Sequence, residues 1–235
     1  RLLKLQPQAL PAPARRDEVL PELRHQNQVV LEATDLIKRF GGVTAVDRAC
    51  LRVHAAEVVG LIGPNGSGKT TMINLISGLY VPDAGSVTIG AVRPKPGSLL
   101  SASRAGVART FQNLQLFSEL AALENITVVL GPGKHAQAKG LALLELVGLA
   151  KKARLKARDL HYGEQRFLEI ARALASRPKL LILDEPAAGL SRPDVQRLIQ
   201  VITTIKGTGL PIVLIEHHMD VITEICDRVA VLDGG

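Results

Sequence analysis

One short run of residues carries the clearest chemical pattern in the sequence. Residues 63–70 read Gly-Pro-Asn-Gly-Ser-Gly-Lys-Thr and match the phosphate-binding pattern Gly-x-x-x-x-Gly-Lys-Ser/Thr at every required position. Glycines let backbone N–H groups turn toward phosphate oxygens with no Cβ in the way. A helix that begins near Lys69 adds the positive end of its dipole. A plain glycine-rich turn is the weaker interpretation, and the predicted nucleotide-binding residues are Gly63, Pro64, Asn65, Gly66, Ser67, Gly68, Lys69, Thr70 and Thr71.

The side chains of this run predict specific contacts with a nucleoside triphosphate. We expect Lys69 to reach the β- and γ-phosphates, and the Thr70 hydroxyl to bind Mg²⁺. The predicted ligands are therefore ATP and Mg²⁺.

A pair of acidic residues forms the second candidate site. Asp184 and Glu185 follow the apolar residues 181–183, and strands of such sheets bind ligands at their carboxyl ends. Adjacent acids at a strand end are often only a helix cap or a turn. With a phosphate-binding loop in the same chain, we favour Asp184 as a Mg²⁺ ligand, directly or through water, and Glu185 as the base for the attacking water.

Two isolated polar residues, Gln112 and His217, carry little weight by themselves. A lone glutamine usually lies on the surface, and a lone histidine after a strand (here residues 212–215) is usually incidental. Their interpretation depends on a template.

The surrounding elements are those that a phosphate-binding loop requires. Residues 58–62 form a short apolar strand before the loop, and apolar residues recur at helical spacing after it. Further buried strands are predicted at 180–183, 212–215 and 229–232, and earlier strands at 29–33 and 43–53, the second broken at a turn. Apolar strands that alternate with amphipathic helices indicate an α/β fold with a mostly parallel sheet covered on both faces.

The composition is that of a globular protein with one main domain. The 235 residues are 46% hydrophobic and 22% charged, and no apolar run approaches the roughly 18 residues that span a bilayer. Aromatic residues make up only 3%, so we expect no base-stacking surface and no nucleic-acid partner. The two cysteines form no metal-ligand pattern and indicate a reduced, cytoplasmic setting. Residues 1–28, rich in proline and mixed charges, are predicted to be an N-terminal tail or linker.

The net charge of +7 is concentrated in residues 131–158, which hold seven basic residues and one acid, Glu145. Such a run could meet nucleic acid, anionic lipid headgroups or an acidic partner. A solvated helical face is at least as good an interpretation.

Together these stretches resemble the nucleotide-binding domain of ABC transporters over about residues 29–235. The most specific is 160–165, Leu-His-Tyr-Gly-Glu-Gln, which is similar to the Leu-Ser-Gly-Gly-Gln signature of that family. The resemblance implies a P-loop NTPase core with a mostly parallel sheet, an antiparallel β subdomain and an inserted helical lobe at about 93–165. It also implies a head-to-tail dimer, a homodimer or a heterodimer, with ATP between the loop of one copy and the signature of the other.

Matching positions imply roles for single residues. Phe40 matches the aromatic that stacks on adenine, and Gln112 the glutamine that touches Mg²⁺ and the attacking water and senses the membrane partner. His217 matches the switch histidine that contacts the γ-phosphate. His161 and Gly163, in the signature, would bind the γ-phosphate of the other copy's ATP, with Gly163 offering backbone donors from a helix N-terminus.

The chain looks most like the ATP-binding subunits of branched-chain amino-acid importers. The resemblance implies an ATPase motor subunit that is peripheral on the cytoplasmic face of the membrane. Its partners would be membrane permease subunits and, indirectly, a solute-binding protein. His161 in place of the signature serine, Ser191-Arg192 in place of Asp/Asn-Pro and His218 in place of an aspartate depart from the family pattern. Two alternatives follow: an ABC-type ATPase outside transport, or a regulatory module that binds ATP and has lost turnover.

Overall fold

The computed structural model describes residues 10–19 and 28–235. The strands are β1 (Val29–Phe40), β2 (Val43–His54), β3 (Val58–Ile62), β4 (Ala84–Ile89), β5 (Val107–Arg109), β6 (Leu180–Asp184), β7 (Ile212–Ile215) and β8 (Arg228–Val231). The α-helices are α1 (Arg16–Val19), α2 (Lys69–Ile76), α3 (Leu99–Ala105), α4 (Ala122–Leu130), α5 (Lys134–Leu146), α6 (Tyr162–Ala175), α7 (Arg192–Lys206) and α8 (Met219–Ile225).

A five-stranded parallel sheet forms the centre, in the order β5-β6-β7-β3-β8. Its inner strands are continuous apolar runs because both faces are covered. Alternate residues of β6 show this: Leu181 and Leu183 pack with α6 and α7, whereas Leu180 and Ile182 pack with α2 and the antiparallel sheet. Since the strands are parallel, their carboxyl ends meet at one edge, which is where the predicted site residues follow β3, β5, β6 and β7.

A three-stranded antiparallel sheet, β2-β1-β4, covers one side of this core. The strand predicted at 29–33 continues to Phe40, and the strand predicted as broken at 43–53 runs unbroken to His54. Both strands accommodate a residue with positive φ, Asp35 at 49° and Arg48 at 49°, in stretches where their register shifts. These irregularities interrupt the alternation of polar and apolar residues, which is why sequence periodicity missed the full lengths. The predicted fold class is confirmed.

The helical lobe is built from α4, α5 and α6. A tight turn at residues 131–133 joins α4 to α5, and it uses glycines with positive φ at both ends, Gly131 at 89° and Gly133 at 113°. The range predicted for the lobe, about 93–165, also contains β5, which pairs with β6 in the central sheet. That range therefore holds residues of both the sheet and the lobe.

The described part of the N-terminal region packs on this lobe. The Ala14 N–H donates to the carbonyl oxygen of Ala138 on α5 (2.9 Å), and Val19 is 2% exposed in the same apolar cluster as α4–α6. The predicted tail, 1–28, lies partly outside the described residues, and the division at residue 28 stays a prediction. None of the described helices has the length and apolar character needed to cross a bilayer.

Candidate functional site

The loop at 63–70 leaves β3 and leads directly into α2. Two of its glycines are required by close approach as well as by conformation. A Cβ on Gly68 (φ 97°) would lie 2.2 Å from the carbonyl oxygen of Ala45, and one on Gly63 (φ 151°) would lie 2.1 Å from that of Leu232. Gly66 has φ 85° but open space around it. The loop is therefore held against the neighbouring backbone in a conformation that only glycine adopts easily.

Two side chains of the loop, Ser67 and Lys69, are buried beside its backbone. The Lys69 ammonium donates to the carbonyl oxygens of Gly63 (2.8 Å) and Pro64 (2.9 Å), which leaves one of its three N–H groups free. The Ser67 hydroxyl is buried without a hydrogen-bond partner, whereas Thr70 at the start of α2 is exposed. The glycine backbone of the loop, the unpartnered Ser67 hydroxyl and the buried Lys69 ammonium together fit a phosphate group.

Asp184 ends β6 and is 4% exposed. Nη2 of Arg109 donates to its Oδ2 (2.7 Å), and Nη1 of Arg109 donates to Asn74 Oδ1 on α2 (2.6 Å). Arg109 therefore joins the carboxylate to the helix of the phosphate-binding loop. Within the part of the chain that the structure describes, no cluster of three or more His, Cys, Asp or Glu side chains could hold a metal ion. A Mg²⁺ ion at this edge would take oxygen ligands, the type that it prefers, from Thr70, Asp184 and the phosphates.

Glu185 lies between the two isolated polar residues that the sequence singled out. Nε2 of Gln112 donates to its Oε2 (3.2 Å), and Nε2 of His217 lies 3.2 Å from its Oε1. The Glu185 backbone has φ 48°, a left-handed conformation that is costly for a residue with a side chain. Its N–H donates to the carbonyl oxygen of Ile215 (2.9 Å), which fixes that turn beside the end of β7. Three residues distant in sequence are thus brought into direct contact.

Glu216 is a functional neighbour that sequence reasoning did not assign. It is 2% exposed, and its Oε2 accepts from Ala187 N–H (3.0 Å) while its Oε1 accepts from His217 N–H (2.9 Å). This buried carboxylate ties the turn after β6 to the turn after β7. Its only signal in the sequence is an acid directly after an apolar strand.

Phe40 ends β1 with 44% of its surface exposed. Its ring centroid lies 5.4 Å from that of Tyr80, in an edge-to-face arrangement with an interplanar angle of 71°. Tyr80 thus steadies the exposed ring.

The segment at 160–165 forms the start of α6. The His161 N–H donates to Oε2 of Glu164 (3.3 Å), and Oε1 of Glu164 accepts from Lys152 (2.5 Å). Partial burial raises the pKa of Glu164, but the hydrogen bonds from Lys152 and His161 outweigh it, and the net pKa lies below its ordinary value. The carboxylate therefore stays ionised at the amino end of α6, a feature that sequence reasoning missed.

Gly163, one residue before Glu164, packs closely on the next element. A Cβ there would lie 2.9 Å from Asp194 Oδ2 and 3.4 Å from Leu190 Cδ2. Ser191 caps α7 in the same place, because its hydroxyl accepts from Asp194 N–H (3.4 Å). Among the described residues, no hydrogen bond or ion pair joins 160–165 to the loop at 63–70.

Comparisons with known proteins concern the family and the fold. Residues 46–188 match the family model described as "ABC transporter". The chain is 38% identical over 231 residues to the high-affinity branched-chain amino acid transport ATP-binding protein LivG of Salmonella typhimurium, covering 89% of this chain and 90% of that protein. A solved ATP-binding cassette of an ABC transporter in its ADP conformation superposes with a TM-score of 0.83 at 28% identity, covering 89% of each chain. A dimeric cassette bound to ADP and Pi gives 0.77 at 26% identity, covering 87% of this chain and 95% of that one.

Proposed function

The chain belongs to the ABC transporter family, and on that basis we propose that it is the ATP-hydrolysing motor subunit of an importer for branched-chain amino acids. Family membership and the ATP-binding cassette fold were both predicted from the sequence and are confirmed. The solute class comes from the name of the relative, because a motor subunit does not itself meet the solute. The observation that carries the proposal is the contact of Glu185 with both Gln112 and His217, at the edge where the phosphate-binding loop also begins.

The residues of that edge divide the chemistry among them. The loop amides and Lys69 would bind the β- and γ-phosphates, while Thr70 and Asp184 would hold Mg²⁺, whose charge would offset that of the phosphates. Glu185 accepts a proton from the attacking water. Gln112 and His217 each hold one oxygen of the Glu185 carboxylate in place. Arg109 donates a hydrogen bond to one carboxylate oxygen of Asp184. The other oxygen is therefore the one available to Mg²⁺ or to a water bound to it. Phe40 stacks on the adenine from the rim of the antiparallel sheet.

A second copy of the domain completes the site. Among the described residues, the signature segment at 160–165 makes no hydrogen bond or ion pair with the loop at 63–70, and a relative of the same fold has been solved as a dimer with ADP and Pi. In the proposed dimer, His161 and Gly163 of each copy approach the γ-phosphate held by the other. A homodimer and a heterodimer with a related subunit satisfy this arrangement equally.

A cleft next to Phe111, the residue before Gln112, is the site that we propose for the membrane subunits. Its volume is about 360 Å³, and it lies between α3, β5, α4 and α6. Exposed apolar side chains, Leu99 and Val129, line it together with Phe111. We assign this cleft to a cytoplasmic helix of the permease, which would place the chain peripherally on the cytoplasmic face and leave any solute-binding protein an indirect partner. The alternatives of a non-transport ATPase or an inactive regulatory module are not favoured by the relatives.

Removal of the Glu185 carboxylate tests the proposed chemistry. We expect Glu185→Gln to lower kcat for Mg²⁺-dependent ATP hydrolysis by about 10²- to 10⁴-fold, because a positioned general base contributes that much. Binding of a fluorescent ATP analogue should persist, since the phosphate-binding loop is unchanged. Glu145→Gln, at an exposed position on α5, is the matched control and should hydrolyse ATP like the wild type. Full activity in Glu185→Gln would remove Glu185 as the base.

A further inference from the structure

The loop that carries Gln112 is held to α6 by a buried ion pair. Arg166 and Glu169, one turn apart on α6, are 3% and 2% exposed. The guanidinium of Arg166 donates from Nη1 to the carbonyl oxygen of Phe111 (2.8 Å) and from Nη2 to that of Gln112 (2.5 Å). Oε1 of Glu169 accepts from the Phe111 N–H (3.3 Å) and from the Gln115 N–H (3.4 Å). The loop backbone is therefore bound through both its carbonyls and its amides.

The same guanidinium also reaches the signature segment. Nε and Nη2 of Arg166 donate to the hydroxyl oxygen of Tyr162 at 3.2 and 3.0 Å, and Nη1 lies 3.5 Å from Oε2 of Glu169. With the two carbonyl contacts, these bonds occupy all five N–H groups of the side chain. A rigid planar group with every donor engaged fixes the relative position of its partners, which a flexible ammonium cannot do.

We propose that Arg166 is a positioning residue that joins the signature segment, through Tyr162, to the main chain at Gln112. Movement of the amino end of α6, such as closure on a nucleotide held by a second copy, then shifts the Gln112 side chain relative to Glu185. Arg166 touches neither the nucleotide nor the reacting atoms, so its influence on hydrolysis passes through Gln112. This inference rests on the proposed function, because it needs Gln112 to act in hydrolysis.

Hydrogen exchange tests the structural part without requiring activity. In Arg166→Lys we expect the amides of residues 111–115 to exchange at least about tenfold faster than in the wild type, because the loop loses its carbonyl contacts. The amides of α2 should keep their protection. Arg104→Lys, at an exposed position on α3, is the control and should leave both segments unchanged. Unaltered exchange at 111–115 in Arg166→Lys would overturn the inference.

A double-mutant cycle tests the functional part. Arg166→Lys should lower kcat by about 10- to 100-fold with KM for ATP nearly unchanged, since small displacements of positioning groups have effects of that size. Tyr162→Phe, which removes only the hydroxyl that accepts from Arg166, should give a smaller fall in kcat of the same kind. In a Gln112→Ala background, Arg166→Lys should change kcat by less than about twofold. The same fold-change in both backgrounds would overturn the proposed route through Gln112, whereas a wild type without ATPase activity would instead refute the proposed function.

Discussion

In the proposed site, the N-termini of two helices, α2 and α6, face phosphate. They differ in backbone conformation and in the charged groups beside them. At α2, the backbone before the helix has positive φ at Gly66 and Gly68, and a buried lysine lies in the loop. At α6, Gly163 is not in the left-handed region, and a carboxylate, Glu164, caps the His161 N–H. The first helix end therefore has its positive charge available for an anion, while the second already holds a negative group of its own.

Lys152 modifies this contrast. Its ammonium contacts Glu164, so the amino end of α6 carries a pair of opposite charges rather than a free carboxylate. Two further basic residues of the 131–158 run, Lys156 and Arg158, pair with Glu119. The two helix ends therefore suit the two roles that we propose for them: the loop at 63–70 binds phosphate within one chain, and the signature segment meets a nucleotide held by a second copy.

The largest effect should come from the loop lysine. Lys69→Ala removes a buried ammonium and its charge-assisted contact with phosphate, and we expect ATP to bind about 100-fold more weakly or worse. Lys151→Ala, an exposed lysine in the basic run, should bind ATP like the wild type. Titration with a fluorescent ATP analogue measures both. Unchanged affinity in Lys69→Ala would remove the distinction between the two helix ends.

Alanine substitutions at Gly66, Gly68 and Gly163 should separate the effect of backbone strain from that of steric contact. Gly68→Ala should lower the free energy of unfolding by about 1–3 kcal/mol or more, because a positive φ and a clash with a backbone carbonyl combine there. Gly66→Ala has the positive φ without the clash and should lower the free energy of unfolding by less. Gly163→Ala should lower it least, because the atom nearest to the added Cβ, at 2.9 Å, belongs to the Asp194 side chain, which can move. Denaturant unfolding measures the order, and a larger loss at Gly163 than at Gly68 would contradict it.

The smallest effects should come from the charge pair at α6. Glu164→Gln removes the negative charge but keeps an oxygen for the His161 N–H, and should strengthen ATP-dependent dimer formation by about two- to fivefold. Lys152→Ala leaves the carboxylate unpaired and should weaken the dimer by a similar factor. In the Glu164→Gln background, Lys152→Ala should have little effect. Sedimentation at several protein concentrations gives the dimer constants, and equal losses for Lys152→Ala in both backgrounds would show that Lys152 acts by another route.

The sequence predicts those parts of the site that depend on local pattern. The glycines and the lysine of the loop lie in one short run, because their spacing is set by the need to surround a phosphate. The apolar strands before Asp184 and His217 identify the sheet. The contact of Gln112 with Glu185 and His217 is not local. The family resemblance named these residues, and the parallel order of β5, β6 and β7 explains why they meet.

Other features could not be predicted because they depend on packing between distant segments. Arg109 reads as one basic residue beside a threonine, yet it is buried against Asp184 and Asn74. Glu216 binds backbone amides from two turns that only the folded sheet brings together. Val19 lies in a proline-rich stretch that suggests a linker, but it packs with the helical lobe. In each case the role of the residue depends on the distant segment that it contacts, and the residue type alone does not show it.

In the proposed function, one chain holds half of a composite site and a second copy supplies the rest. The most direct measurement is the solution mass of Glu185→Gln by light scattering, with and without ATP and Mg²⁺, because this variant should bind ATP without consuming it. We expect a monomer without nucleotide and a dimer of twice that mass with ATP. A chain that binds ATP to saturation and remains a monomer at high protein concentration would contradict it.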